Sequence, residues 1–262
     1  NPNVNLESTN HTSITVSGFR DSYSRDVTCS DSAYYFPVRG AMDLYFPFTD
    51  GSLTDASGRG VTLVPTGGPT LTAGYPRDAA GGTGDAYSFD GINDYMQVSG
   101  DLGIDCDADF TISAWIYLTS IANYRAIVSN YHTAGAYGLM FRVNSNWAGH
   151  TNALDLSEGY SNNAVLSTGT WLHVVGVYTE ADSKVQFYVN GVGAGYTSTG
   201  YNIVDPLLSD SRNKFAIGAD YLIGGARYFP GTIDEVRFYK YALTAMEVGN
   251  LYRNDDINDN TP

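Results

Sequence analysis

Punctuation is the feature that most constrains this chain. From about residue 40 onward, short runs rich in β-branched and aromatic side chains recur, separated by Gly, Asn, Asp and Pro. The runs are 42–48, 86–89, 95–98, 110–117, 126–129, 137–143, 171–178, 185–189, 214–217 and 231–239. Phe110-Thr111-Ile112-Ser113-Ala114-Trp115-Ile116-Tyr117 alternates apolar and polar, the period of a strand rather than a helix. Val189-Asn190-Gly191-Val192 sets an Asn-Gly pair between apolar residues, the strongest short signal for a hairpin turn. Many short strands and little else predict an all-β fold, a two-sheet antiparallel sandwich. One helix is predicted, near the end. Thr244-Ala245-Met246-Glu247 has the form of a capping box, and Val248, Leu251 and Tyr252 follow at helical spacing.

Composition agrees. Hydrophobic residues make up 43% of the 262 and charged residues 16%, which predicts a packed core rather than disorder. Only five of the 28 acids are Glu, at 7, 158, 180, 235 and 247; the rest are Asp, a turn former. The net charge of −14 disfavours phosphate backbones and anionic membrane surfaces, so no nucleic-acid partner is expected. No apolar run approaches the ~20 residues of a membrane span. No charged, apolar leader opens the chain, which fits a cytosolic protein or a mature or excised piece of an exported one.

Three regions are expected. Residues 1–39 are polar, with one alternating stretch at 11–16, and read as an N-terminal extension. Residues 40–253 form the main body, and 254–262 a polar tail or linker. Asn10-His11-Thr12 fits a glycosylation acceptor at Asn10. With few lysines and many Asp, Asn, Gly and Tyr, it points to an extracellular or cell-surface location. There a bridge between Cys29 and Cys106 is expected; two buried free thiols are the alternative.

A series of landmarks then appears in order. Leu44-Tyr45-Phe46-Pro47-Phe48 precedes Leu53-Thr54-Asp55-Ala56-Ser57-Gly58. Tyr87-Ser88-Phe89-Asp90-Gly91 runs on to Asp94-Tyr95, and Phe110 to Trp115 follows. Trp171-Leu172-His173-Val174, Phe187-Tyr188-Val189-Asn190-Gly191 and Gly231-Thr232-Ile233-Asp234-Glu235-Val236 complete the series. In these residues the stretch from Asp43 to Tyr252 resembles a laminin-G-like domain of the concanavalin A-like lectin/glucanase superfamily, a jelly roll. That group includes lectins, adhesion domains and glycan-binding modules as well as some glycanases, so function must come from the site. The resemblance also implies a calcium ion tying the last strand to earlier loops, with Asp43, Asp90 and Asp234 as its ligands. Asp234 lies in an apolar strand, where either a cation or backbone amides must compensate a buried carboxylate. The tail from Asp256 to Pro262 is similar to the calcium-ligating linker between cadherin repeats; a solvated tail is equally open.

Glycanases need an acid and a second carboxylate a few ångströms apart. Here the glutamates are scattered singly. Asp105, Asp107 and Asp109 alternate, but they precede the apolar strand and read as loop residues. His11, His132, His150 and His173 lack metal-ligand spacing, and His173 reads as a structural residue within a strand. No nucleophile elbow or phosphate loop is present, so an enzyme is not expected.

Aromatic residues suggest the ligand. Tyr124, Tyr131, Tyr137, Tyr160, Tyr196, Tyr201, Tyr221 and Tyr228 lie in loop-like sequence with Trp147, near Asn123, Asn144, Asn146, Asn162 and Asn163. Aromatic faces stack on sugars, while phenols and amides bond hydroxyls. Tyr131, Trp147 and Tyr160, each among polar residues, are the expected contacts. The function expected is a non-catalytic extracellular recognition or adhesion module, stabilised by calcium and binding glycans or glycoproteins. The alternative is an assembly subunit of a larger extracellular protein or filament, self-associating by pairing residues 1–39 with a neighbour.

Overall fold

The structure, a computed structural model, describes residues 16–20, 26–29, 42–76, 83–98, 108–130, 138–199, 215–220 and 227–253. The chain divides into two compact units, Asn1–Val38 and Arg39–Pro262. The first contains an antiparallel pair, β1 (Val16–Arg20) and β2 (Asp26–Cys29), with Arg20 opposite Asp26. Asn10, Cys106, Tyr131 and the side chain of Cys29 lie outside the described residues, as do 11–15 and 254–262.

The second unit runs in chain order through β3 (Met42–Phe46), β4 (Leu63–Thr66), β5 (Thr70–Pro76), β6 (Thr83–Asp90), β7 (Tyr95–Val98), β8 (Phe110–Leu118) and β9 (Arg125–Ser129). It continues with β10 (Met140–Trp147), β11 (His150–Leu156), β12 (Gly159–Tyr160), β13 (Trp171–Thr179), β14 (Lys184–Val189) and β15 (Val192–Ser198). Last come β16 (Ala216–Ile217), β17 (Ala219–Asp220), β18 (Arg227–Tyr228), β19 (Pro230–Tyr239) and the helix α1 (Ala245–Arg253).

Two antiparallel sheets result, as the punctuation predicts. One has the order β12-β11-β10-β9-β16-β7-β4. The other has the order β15-β14-β13-β8-β19-β6-β5, with β3 also paired to β19. The hairpin between β14 and β15 turns on Asn190 and Gly191, at φ 51° and 74°, as the Asn-Gly pair requires.

Alternation explains which residues enter the core. In β8, Phe110, Ile112, Ala114, Ile116 and Leu118 join the main core between the sheets. The other face of β8 is buried too. There α1 covers the eight-stranded sheet, and Val248 and Leu251 pack with Met42, Tyr45, Val175 and Tyr239. Trp115 meets Tyr252 of the helix at 5.6 Å between ring centres, and His173 lies 5.1 Å from Trp115. His173 is therefore a buried structural residue.

Local signals hold at the helix start. Thr244 N–H and hydroxyl both donate to Glu247 Oε2, and Glu247 N–H donates to Thr244 Oγ1, which is the reciprocal capping box. Between β16 and β17, Gly218 has φ 85°, and a side chain there would stand 2.5 Å from the Phe89 ring. Only glycine lets the chain leave the sheet at that point to form the β17–β18 pair. Among the described residues no helix is long and apolar enough to cross a membrane.

Thr244→Ala is expected to lower stability by about 1 kcal/mol, the usual value of a cap. Urea unfolding followed by circular dichroism measures it; an unchanged midpoint would remove the cap from the account.

Candidate functional site

The residues that gather into a site come from the turn before β9, from β10 through β12 with the turn between β11 and β12, and from the β17–β18 pair. In β10, Phe141 and Val143 face the main core, and Arg142 and Asn144 point to the other side of the sheet. In β11 the same holds for Leu154 and Leu156 against Asp155, which lies opposite Arg142. An arginine and an aspartate thus meet across a strand pair, both fully buried.

Arg142 Nε and Nη2 donate to Asp155 Oδ2 at 3.0 and 2.7 Å, and Nη2 also donates to Glu158 Oε1 at 2.8 Å. Its Nη1 lies 3.8 Å from Asp220 Oδ2, which accepts Arg227 Nη1 at 3.0 Å. Asn144 Nδ2 and Glu158 N–H complete the shell of Asp155 at 2.9 Å each. Burial is the largest influence on Asp155 and pushes its pKa up to about 6, with Arg142 opposing. Arg142 is itself desolvated, but the three carboxylates outweigh that and hold its charge more firmly than usual. The folded chain therefore binds the Asp155 proton more tightly than the unfolded chain. Burying the charged form costs stability above pH 6, and that cost lifts as pH falls from there toward 3.8.

An aromatic layer lies against this ionic one. The Tyr124 ring centre is 4.7 Å from the Arg142 guanidinium carbon and 4.4 Å from that of Arg227. Trp147 approaches Tyr124 at 4.9 Å and keeps 44% of its surface exposed. His150 stacks on Tyr160 at 4.6 Å, and the Tyr160 hydroxyl donates to Glu158 Oε2. Burial, followed by the neighbouring carboxylates, raises the Tyr160 phenol well above its ordinary value and pushes Tyr124 up to about 12, so both remain neutral donors.

Backbone strain concentrates in the same place. Of the eleven non-glycine residues with positive φ among those described, six fall between Tyr124 and Ala164. Ser157 and Glu158, at φ 49° and 66°, make the tight turn from β11 to β12 that Asn and Gly usually make. Tyr124, at φ 58°, is pinned by its N–H donating to Asn144 Oδ1 at 2.8 Å. Its neighbour Asn123 accepts the N–H groups of Ser145 and Asn146 at 3.1 and 2.9 Å. Each such conformation costs of order 1–3 kcal/mol and survives only where its surroundings fix it, which happens most often at binding sites.

Of the expected ligand contacts, Trp147 and Tyr160 belong to this face, and Tyr131 lies outside the described residues. Arg142, Asp155, Glu158, Asp220 and Arg227 were not foreseen. The usable signal was a charge flanked by apolar residues in two stretches, Phe141-Arg142-Val143 and Leu154-Asp155-Leu156. Two charges buried in neighbouring strands require each other.

The expected calcium ligands are not brought together. Asp90 stands opposite Pro230 at the start of β19, Asp234 lies four residues along it, and Asp43 flanks the residues paired with its end. At ~3.3 Å per residue, the outer two are some 25 Å apart. Each is also occupied: Asp43 by Arg59 at 3.2 Å and Lys240 at 3.4 Å, Asp90 by three backbone amides, and Asp234 by the N–H groups of Tyr75 and Glu235. These three carboxylates do not fit one ion. Among the described residues no cluster of three or more His, Cys, Asp or Glu has metal-holding geometry. Asp109, beside the loop aspartates, accepts Glu180 N–H at 2.9 Å.

Two outcomes follow from this geometry. Asp155→Ala takes two hydrogen bonds from the buried Arg142, which keeps Glu158 and Asp220 nearby, and is expected to cost about 3 kcal/mol in urea unfolding, the low end for breaking a buried pair. Asp90 differs, because backbone amides, Ile92 first, hold its carboxyl below the ordinary value of 3.8. Its contribution is therefore present above pH 3.8 and disappears as pH falls through the lowered native value. Melting curves of Asp90→Ala and the unaltered chain should differ at pH 7 and converge in stronger acid.

Several solved structures share this architecture. One is domain 4 of AbnA, an extracellular GH43 arabinanase from Geobacillus stearothermophilus, solved with arabinotriose; identity is 19%, TM-score 0.61, with 80% of this chain and 98% of that one covered. The binding domain of botulinum neurotoxin serotype D matches at 13% identity and TM-score 0.57, covering 82% of this chain and 52% of that one. The binding domain of Paraclostridial Mosquitocidal Protein 1 matches at 15% and 0.51, covering 82% and 52%. This chain thus spans about half the length of the toxin domains. No curated protein matches it in sequence. The pattern describing the concanavalin A-like lectin/glucanases superfamily, in its laminin-G form, matches residues 90–249, and the chain belongs to that family.

Proposed function

We propose that this chain is a non-catalytic, extracellular glycan-recognition module, and that the face formed by Tyr124, Trp147, His150 and Tyr160 is where the sugar lies. The observation that carries the reading is the half-exposed Trp147 indole set beside a strained Tyr124 held by two guanidinium groups. Such a surface offers an apolar plane for C–H faces, with phenol, imidazole and amide groups around it for hydroxyls. Because the ring positions are fixed before a ligand arrives, little ordering is left to the binding step. A neighbouring fold solved with arabinotriose supports a sugar ligand, as does the family itself.

The acids of this face do not suit hydrolysis. The side chains of Asp155 and Asp220 are fully buried, and both Glu158 oxygens are engaged, by Arg142 and Tyr160. A glycosidase needs a carboxyl pair that reaches the glycosidic oxygen from both sides. Calcium at Asp43, Asp90 and Asp234 forms no part of this proposal.

The test is a glycan array followed by calorimetry on the strongest neutral hit. Trp147→Ala should weaken that hit by about thirtyfold, the equivalent of about 2 kcal/mol for a central aromatic contact, with the melting temperature kept. An array without signal, or a variant that binds as well as the unaltered protein, would place the function elsewhere.

A further inference from the structure

The charges beneath the aromatic face decide more than stability. Arg142 is fully buried and spends its Nε and Nη2 on Asp155 and Glu158 and its Nη1 on Met140 Sδ. Arg227 is 22% exposed, but its Nη1 is held by Asp220 and its guanidinium lies over Tyr124. Arg125, next to Tyr124, is not free either. Among the described residues the ion-paired set is Arg142 and Arg227 with Asp155, Glu158 and Asp220, three carboxylates to two guanidinium groups and so one negative charge in excess.

A second observation sharpens the sign of the field. Among the described residues, the buried Asp220 Oδ1 has no hydrogen-bond partner. A bare carboxylate oxygen in a place of low dielectric projects its charge further than a hydrated one. The whole chain, at −14, adds to it.

Resting on the reading of this face as a sugar platform, we propose that it selects neutral oligosaccharides and rejects sialylated, sulfated or uronate-bearing ones, with Glu158 and Asp220 as the residues that set this choice. A neutral sugar brings hydroxyl donors, which a carboxylate-rich setting favours. An anionic sugar meets like charge and finds both guanidinium groups already neutralised, so rejection comes from repulsion rather than from a missing contact. Tyr160 deepens the effect: its hydroxyl bonds Glu158 and positions that carboxylate at the edge of the platform, where it is 24% exposed.

Charge-matched pairs on an array test this: lactose-terminated glycans beside their sialylated and sulfated forms, and glucose-terminated beside glucuronate-terminated ones. The unaltered protein should prefer the neutral member of each pair by at least about tenfold. Asp220→Asn and Glu158→Gln each remove one negative charge at nearly constant shape, with folding checked by circular dichroism and melting temperature. In either folded variant the gap should narrow by about tenfold, through a gain in anionic binding that weakens as salt is added. Preference for the charged member by the unaltered protein, or an unchanged gap in both folded variants, overturns this selectivity while leaving the sugar platform standing. Failure of every glycan to bind overturns both.

Discussion

The sandwich depends on β19. It pairs along one side with β8, and on its other side first with β6 and then with β3. The change of partner falls between Ile233 and Val236, where β6 ends and β3 begins. Two charged residues, Asp234 and Glu235, occupy that seam, and a third, Arg237, follows it. Asp234 turns back to accept the Tyr75 and Glu235 amides, and Glu235, at φ 53°, forms a bulge. Arg237 pairs with Glu235 and also donates to the Tyr45 hydroxyl, so β3 is tied to the last strand by side chains as well as by backbone. A bulge with its own ionic clasp lets one strand serve two partners.

A similar device occurs in the opposite sheet with another result. There the buried arginine is Arg142, and its carboxylates lie beneath an open aromatic face instead of beneath a helix. Burying ions gains little in stability when compared with a well-packed apolar core. What it gives is fixed direction. Tyr124, strained and flanked by two guanidinium groups, has few alternative positions, and Trp147 rests against it.

The sequence made parts of this legible and concealed others. Strands β7, β8, β13, β14 and β19 were plain because β-branched and aromatic residues fill them and turn residues close them. The Asn190-Gly191 turn and the Thr244–Glu247 cap were plain because each is a local hydrogen-bond arrangement. β11 was not, since His-Thr-Asn-Ala-Leu-Asp-Leu has neither the composition nor the clean period of a strand; pairing with β10 makes it one. β15, rich in Gly, was hidden for the same reason, and β10 runs on through Asn144 to Trp147, beyond its apolar part. At the site, aromatic character among polar neighbours pointed to Trp147 and Tyr160. The ionic layer beneath them joins residues as distant as Arg142 and Asp220, and no local pattern reports such a meeting.

The three tryptophans give this fold an optical signature. Trp115 is buried, stacks on Tyr75 at 3.4 Å and lies beside His173 beneath the helix, so its indole is shielded from water. Trp147 stands in water and emits toward the red. Trp171, half-buried and edge-on to Tyr75 and Tyr117, lies between these extremes, so the reddest part of the emission reports on the face assigned to the sugar.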